Sequence, residues 1–106
     1  MAKVYLKKHK TEQGDMIAMC DEKTLGKVYK DKKTGTVLDL KKYREFYEGN
    51  LLSSDEALRI VSDADIYTGN IVGEESVGIV IKAGLATGTE IKDIGGIPSL
   101  HIYRII

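Results

Sequence analysis

Apolar and polar residues alternate at the start of the chain in the pattern of a half-buried strand. Over residues 3–9, Val4 and Leu6 fall on one side, and mostly lysines fall on the other. Turn-forming residues follow at 11–15, and Met16–Cys20 is a short apolar run. Two such runs around a glycine-containing turn predict a β-hairpin.

A second hairpin is predicted over residues 27–30 and 36–40, because the residues between them at 31–35 are turn formers. Between the two hairpins, Asp21 is a suitable helix N-cap and Gly26 suits a left-handed C-terminal end. This spacing predicts a single helical turn, with Asp21 capping it.

The clearest helix signal covers residues 53–64. Ser53 and Glu56 fit a capping box at its start. The apolar positions recur at helical spacing and are Ala57, Leu58, Val61 and Ala64. A second helix is predicted from residue 73 or 74 to residue 83, since two glutamates suit its first turn.

The remaining patterns describe extended chain. Residues 65–71 fit a strand or an extended loop, and 91–94 and 97–105 fit two closing strands around Gly95-Gly96. Hairpins first and helices later favour an α+β fold. We therefore predict one domain over residues 1–106, a two-layer sandwich with a mainly antiparallel sheet and about two helices. The pattern does not determine the order of the strands.

Composition agrees with a globular domain. Of the 106 residues, 42% are hydrophobic and 30% are charged. Cys20 is the single cysteine, which excludes an internal disulfide. No apolar run approaches the length of a membrane span, and the charged start does not resemble a signal peptide. These features predict a cytoplasmic, soluble protein with no membrane association.

Charge is divided unevenly along the chain, although the net charge is zero. Residues 1–50 hold twelve basic against eight acidic residues, and residues 51–106 hold four against eight. A basic half is a candidate surface for a polyanion such as RNA. The alternative is that the lysines solubilise strand edges and prevent edge-to-edge pairing.

The best candidate for nucleic-acid binding is the basic and aromatic stretch at residues 41–47. Basic side chains neutralise phosphates and aromatic rings stack on unpaired bases. The predicted RNA-binding residues are Lys32, Lys33, Lys41, Lys42, Tyr43 and Arg44. The alternative is that the aromatic residues pack in the core beneath solvated lysines.

Catalysis has one candidate nucleophile. Cys20 would need a base, and the two histidines are His9 and His101. A lone cysteine at the end of an apolar strand is more often a small core residue, and His101 in an apolar strand is more often structural. Two histidines and one cysteine also give no metal-ligand spacing. We therefore predict no catalytic residue, no metal and no cofactor.

The turn before the second helix has two interpretations. Gly73 at a helix start exposes backbone N–H groups that can bind an anion. Glu74 and Glu75 oppose an anion, however, and already complement the helix dipole. The second interpretation is a structural turn in which the side chain of Asn70 fixes the backbone.

Several short segments recur together in the order of a known family. They resemble an archaeal family of unknown function, number 424 in its series, and the resemblance covers almost the whole chain. It is carried by Cys20-Asp21, Leu25-Gly26-Lys27, Phe46–Gly49, Ala64–Ile66, Asn70–Glu74, Ala83–Leu85 and Gly96–Pro98. The resemblance implies a compact two-layer α/β sandwich and a link with translation. One departure is that Ser99 follows the proline where the family often has a histidine.

The sequence thus leads to two functional hypotheses. The first is a non-enzymatic accessory protein that binds RNA or ribosomal particles through its basic N-terminal half. The alternative is a protein-interaction module that forms a homodimer through a sheet edge or the apolar residues 102–106. A small enzyme that uses Cys20 is a third class, which the sequence does not support with any motif.

Overall fold

The structure, a computed structural model, describes residues 2–103. The strands are β1 Lys3–Thr11, β2 Gly14–Asp21, β3 Val28–Lys30, β4 Val37–Asp39, β5 Asn50–Ser53, β6 Ile66–Val72, β7 Lys92–Ile94 and β8 Ile97–Tyr103. The α-helices are α1 Arg44–Tyr47, α2 Ser54–Asp63 and α3 Glu74–Lys82. Single 3-10 turns occur at Glu22–Thr24 and Gly88–Glu90.

Six strands form one sheet in the order β5-β1-β2-β6-β8-β7, and β3 pairs with β4 in a separate hairpin. The neighbouring strands of the large sheet are antiparallel except for β2 and β6. That pair is parallel because α2 carries the chain from β5 past β1 and β2 before β6 begins. The predicted α+β fold with a mainly antiparallel sheet is confirmed.

The main core lies between one face of the sheet and the helices α2 and α3. Alternate residues of the strands, such as Ile17 and Met19 of β2, are fully buried there. Ala57 of α2 and Val80 of α3 pack against them. Each fully buried aliphatic side chain of this size contributes about 1.5–3 kcal/mol, so this layer holds the helices to the sheet.

A smaller layer covers part of the opposite face of the sheet, which the sequence did not predict. Ala18 and Cys20 alternate with the core residues of β2 and therefore point to this side. They pack with Leu40, which follows β4, with Tyr47, which ends α1, and with Val72 of β6. The β3–β4 hairpin and α1, within residues 26–48, thus form a partial third layer, the hairpin layer, over one half of the sheet.

The two predicted helices are confirmed with small changes at their ends. The Oγ of Ser53 accepts the N–H of Glu56 at 3.2 Å, and the Glu56 carboxylate accepts the N–H of Ser53 at 3.1 Å. This is the predicted capping box, and α2 follows it directly. The second predicted helix is α3, which ends before Gly84 at a φ of +77°.

The prediction for residues 41–53 was incomplete. The sequence indicated a turn at Gly49-Asn50 followed directly by a helix, whereas α1 and β5 both lie in this segment. Strand β5 has only four residues, and Leu51 and Leu52 are its apolar positions. It forms because Lys3–Leu6 of β1 pairs with it, and a distant pairing of this kind leaves no local periodicity.

The predicted role of Asp21 was wrong. Asp21 does precede the turn Glu22–Thr24, but its side chain makes no capping hydrogen bond there. Its carboxylate instead accepts the backbone N–H groups of Glu75 and Ser76, at 3.1 and 2.8 Å, and the hydroxyl of Ser76. Asp21 therefore caps the distant helix α3, because β2 ends beside the start of that helix.

The predicted role of Asn70 was also wrong. Asn70 lies within β6, opposite Ala18 of β2 and His101 of β8, and not in the turn before α3. Gly73 begins that helix, and its positive φ of +105° suits a glycine. The last predicted strand is β8 as far as Tyr103, and residues 104–106 lie outside the described part of the chain.

Candidate functional site

An open groove of about 820 Å³ lies between the hairpin layer and the uncovered half of the sheet. One wall comes from the segment that contains β4 and α1, and the floor and the other wall come from β6, β7 and β8. The lining residues are Asp31, Thr34, Thr36, Val37, Leu38, Asp39, Leu40, Tyr43, Phe46, Tyr47, Asn70, Lys92, Asp93, Ile94, Ser99 and His101. This volume falls in the range of small-molecule sites in proteins.

Polar contacts hold the α1 wall against β1. The ring of Phe46 stacks on His9, with 4.8 Å between the ring centroids. His9 Nε2 lies 3.0 Å from the Phe46 carbonyl oxygen, and since a carbonyl oxygen only accepts, that nitrogen donates. The Lys7 ammonium donates to the carbonyl of Glu45 at 2.6 Å. His9 therefore has a structural part in positioning the aromatic wall.

Tyr47 is the inner aromatic residue of this wall. Its side chain is 9% exposed, and burial, followed by the field of Cys20, raises the pKa of Tyr47 to about 12. The phenol therefore keeps its proton at neutral pH and remains a hydrogen-bond donor.

Three polar side chains form the floor of the groove. Asn70 of β6 and His101 of β8 are directly opposite in the strand register, and Ser99 lies two residues before His101 on the same face. None of these side chains forms a hydrogen bond with another group of residues 2–103. Ser99 as a whole is 5% exposed, and its hydroxyl opens to the groove, since no buried side-chain nitrogen or oxygen of residues 2–103 lacks a hydrogen-bond partner.

This polar floor was not predicted from the sequence, in which Asn70 fits a turn and His101 fits a structural role. The available signal was the alternation of polar Ser99 and His101 with apolar Leu100 and Ile102, which puts the polar pair on one face of β8. That signal does not show which residues of other strands face the pair, because β6 lies beside β8 only after the sheet has formed.

Three carboxylates inside the groove are used by local turns. Asp39 Oδ1 accepts the N–H groups of Lys41 and Lys42, at 3.1 and 2.8 Å. Asp31 accepts from the residues that follow it, and Asp93 Oδ1 accepts the N–H of Gly96. Against these three carboxyl groups, Lys92 is the one lysine or arginine of the groove lining. The interior therefore disfavours a phosphate group.

The six predicted RNA-binding residues lie on one segment, which continues from the end of β3 into α1. Lys32 and Lys33 are exposed in the turn between β3 and β4. Lys41 and Lys42 are exposed in the turn before α1. Tyr43 is 53% exposed and lines the groove, and the Lys42 ammonium lies 5.4 Å from its ring centroid.

Arg44 differs from the other five because a carboxylate already neutralises it. Its Nε lies 2.8 Å from Glu48 Oε1, one helical turn later. This hydrogen bond raises the pKa of Arg44 and lowers the pKa of Glu48. We therefore define the basic rim of the groove as Lys32, Lys33, Lys41 and Lys42.

Cys20 is not placed as a reactive thiol. Its side chain is 0% exposed in the hairpin layer, and burial raises its pKa from 9.0 to about 11. A catalytic cysteine needs the opposite shift, toward a lower pKa.

Two further features bear on the class of site. Within residues 2–103, no three side chains of His, Cys, Asp and Glu lie together in a way that would hold a metal ion. No helix in the same part of the chain has the length and apolar character needed to cross a membrane.

The chain matches known proteins over almost its whole length. Residues 9–105 match the family model described as "Protein of unknown function (DUF424)". A solved structure, described as an uncharacterized conserved protein from Methanopyrus kandleri, has a TM-score of 0.77 and 30% sequence identity. That alignment covers 99% of this chain and 96% of the other. A comparison with curated proteins finds no match.

Proposed function

The chain belongs to the DUF424 family of proteins of unknown function, and from this premise we propose that it is a non-enzymatic, cytoplasmic RNA-binding accessory protein. Its target is single-stranded RNA, free or in a ribosomal particle. The observation that carries the proposal is the position of Tyr43, a half-exposed ring at the mouth of the groove beside the lysines of the rim.

This arrangement suits single-stranded RNA because it offers both kinds of contact that unpaired RNA uses. An exposed aromatic ring stacks on a base, and stacking of this kind contributes about 1–3 kcal/mol per base. The lysines of the rim are exposed beside the groove, where their ammonium groups can meet phosphates. The carboxylates inside the groove keep phosphates at the rim and leave the interior to bases.

The distribution of charge over the molecule also favours the hairpin layer as the side that binds RNA. Residues 26–48, which form the hairpin layer, hold seven basic against four acidic residues. Helices α2 and α3 pack on the opposite face and together hold two basic against five acidic residues. A polyanion is therefore attracted to the hairpin layer and repelled by the helices.

Fluorescence anisotropy with a labelled uridine decamer tests the proposal. The variant replaces Lys32, Lys33, Lys41 and Lys42 with alanine, and the affinity is measured between about 50 and 200 mM salt. Four lost phosphate contacts reduce the slope of log affinity against log salt by roughly three units. The affinity at low salt falls by at least about tenfold, because each contact contributes through released counterions.

The matched control replaces four exposed lysines away from the groove. They are Lys8, Lys10, Lys23 and Lys82. This variant has the same net charge as the rim variant, so an equal loss of affinity in both shows that only total charge matters and removes the rim as the site. Wild-type protein that does not bind the decamer at low salt overturns the proposal itself.

Sedimentation of the tagged protein from a cell lysate tests the ribosomal form of the proposal. The protein should travel with ribosomal particles at low salt and return to the light fractions at high salt, since phosphate contacts are screened. A protein that stays in the light fractions under both conditions has no electrostatic association with ribosomes.

A second candidate, the homodimer, has one specific observation in its favour. Strand β7 pairs only with Ile97–Ser99 of β8. Among residues 2–103, no strand covers the outer edge of β8 from Leu100 to Tyr103. An uncovered edge is a surface on which a second copy can add a strand. Light scattering should then give twice the chain mass of 11.7 kDa, and the monomer mass alone excludes this candidate.

A further inference from the structure

The polar floor of the groove has hydrogen-bonding capacity that the protein does not use. The side chains of Asn70, Ser99 and His101 converge there and make no hydrogen bond with any other group of residues 2–103. Ser99 as a whole is 5% exposed, but its hydroxyl is open to the groove, since no buried side-chain nitrogen or oxygen of residues 2–103 is without a hydrogen-bond partner. Three unpaired polar side chains on one face at the bottom of a groove of ligand size offer a ligand several hydrogen bonds, the arrangement by which small-molecule sites fix orientation.

Aromatic and aliphatic side chains line the groove beside this floor. They are Tyr43 and Phe46 of the segment around α1, together with the buried Leu40 and Ile94. A planar ligand with an apolar face and a polar edge fits such a site, because its face contacts the rings while its edge meets the floor. The carboxylates of Asp39 and Asp93 make a phosphate or carboxylate ligand unfavourable in the same space.

We infer that the groove binds one unpaired adenine base, with its face against Tyr43 and its edge against Asn70. A carboxamide presents a donor and an acceptor side by side, and adenine offers the matching acceptor N7 and donor N6. RNA-binding proteins read unpaired bases on this edge in the same way. Ser99 and His101 are placed to contact the remaining polar atoms of the base. This inference rests on the proposed function and assigns its base specificity.

The bound adenine can belong to an RNA or to a free nucleoside. Binding of adenosine distinguishes the two cases, because adenosine carries no phosphate. Adenosine is added to ¹⁵N-labelled protein, and the backbone amide shifts are followed by NMR. The expected shifts fall on β6, β8 and the segment from β4 to α1. Asn70→Ala should weaken adenosine binding by roughly tenfold or more, the loss typical of a bidentate base contact.

Two further variants secure this measurement. Asn50→Ala removes the same side chain from the exposed strand β5, away from the groove, and should bind adenosine like wild type. Asn70→Asp keeps the side-chain shape but loses both amide donors, so it should weaken adenosine binding even if Asn70→Ala perturbs the strand. Adenosine that binds both Asn70 variants with wild-type affinity overturns the inference.

The RNA arm compares the uridine decamer with the same decamer carrying one central adenosine. Wild type should prefer the adenosine RNA by about tenfold, and Asn70→Ala should remove that preference. The rim variant should weaken both RNAs and keep the ratio, because phosphates carry no base information.

These results keep the two proposals apart. If both decamers bind equally and adenosine shifts no groove amide, RNA association stands and the adenine pocket is refuted. If adenosine shifts the groove amides and neither decamer binds, the pocket stands with a free nucleoside as its ligand, and the proposed RNA function is wrong. Stronger binding of guanosine than adenosine refutes the adenine assignment.

Discussion

Burial determines the chemistry of Cys20. The thiol lies in the hairpin layer among Leu40, Tyr47 and Val72, with 0% of the residue exposed. Burial is the largest cause that raises its pKa from 9.0 to about 11, and the carboxylates of Asp21 and Glu48 add to it. The hydrogen bond with Thr24 acts in the opposite direction and does not outweigh them. At neutral pH the side chain is therefore a small apolar core residue.

The stability of the fold should fall between pH 9 and 11 through Cys20. The unfolded thiol ionises near 9.0 and the folded thiol near 11, so in this interval the folded state keeps a proton that the unfolded state has lost. The stabilisation is complete below pH 9 and disappears as the pH passes the folded pKa. Two pKa units correspond to roughly 3 kcal/mol. Urea unfolding at several pH values should show this decline.

The Cys20→Ala variant is the control for that decline, since lysines and tyrosines titrate in the same region. Its stability should depend less steeply on pH between 9 and 11 than that of wild type. An aromatic disulfide reagent should also react with Cys20 only after unfolding. Rapid reaction of the native thiol at pH 8 contradicts the burial argument.

At the scale of elements, the start of α3 depends on the end of β2. The carboxylate of Asp21 satisfies two of the backbone N–H groups that every helix leaves unpaired in its first turn. Gly73 makes this contact possible because a Cβ at that position would overlap the Asp21 carboxylate. The helix is thus fixed to the sheet by a polar contact as well as by its apolar face.

Two glycine substitutions in this element should change stability in opposite directions. Gly73→Ala should destabilise the fold by more than about 2 kcal/mol, because the residue has a φ of +105° and a Cβ would displace Asp21. Gly78→Ala lies on the exposed face of α3 with open space around the new Cβ. It should stabilise the fold by roughly 0.5–1 kcal/mol through helix propensity.

Urea unfolding followed by circular dichroism measures both variants against wild type. Gly78→Ala serves as the control, since it makes the same chemical change in the same helix without the close contact. If the two variants have equal stability, the contact between Gly73 and Asp21 does not control the start of α3.

At the scale of the whole molecule, two apolar layers share the same strands. Ile17 and Met19 of β2 face the helices, while Ala18 and Cys20 of the same strand face the hairpin layer. Loss of either layer therefore exposes residues of a strand on which the other layer depends. This arrangement predicts a single cooperative unfolding transition for the whole chain.

Two optical signals can test this cooperativity, because they report on different sides of the sheet. Tyr5, Tyr29 and Tyr47, three of the six tyrosines, belong to the hairpin layer, so tyrosine fluorescence responds to changes on that side. Far-ultraviolet circular dichroism follows α2 and α3 on the other side. The midpoints should coincide. Leu40→Ala, which removes a side chain that is 1% exposed, should lower both midpoints together, at a cost of about 3 kcal/mol.

The equivalent change on the helix side is Ile71→Ala, since Ile71 is also 1% exposed. It should lower both midpoints in the same way. If Leu40→Ala moves only the fluorescence transition, the hairpin layer unfolds independently and the groove has a separately stable wall.

The sequence by itself determined the elements whose signals are local. The capping box at Ser53 and the apolar stripe after it predicted α2, and strand alternation predicted both hairpins. The lone cysteine at the end of an apolar strand was predicted to be a core residue, and its complete burial agrees. These predictions succeed because helix caps, turns and side-chain periodicity depend on residues within one or two turns of each other.

Only the tertiary structure decided the order of the strands, the use of Asp21 and the groove. Asn70 meets His101 because β6 pairs with β8, and Asp21 meets Ser76 because β2 ends beside α3. Strand β5 exists because β1 offers it a partner. Each of these outcomes depends on backbone hydrogen bonds and apolar packing between segments far apart in the chain, and local periodicity carries no information about which segments will meet.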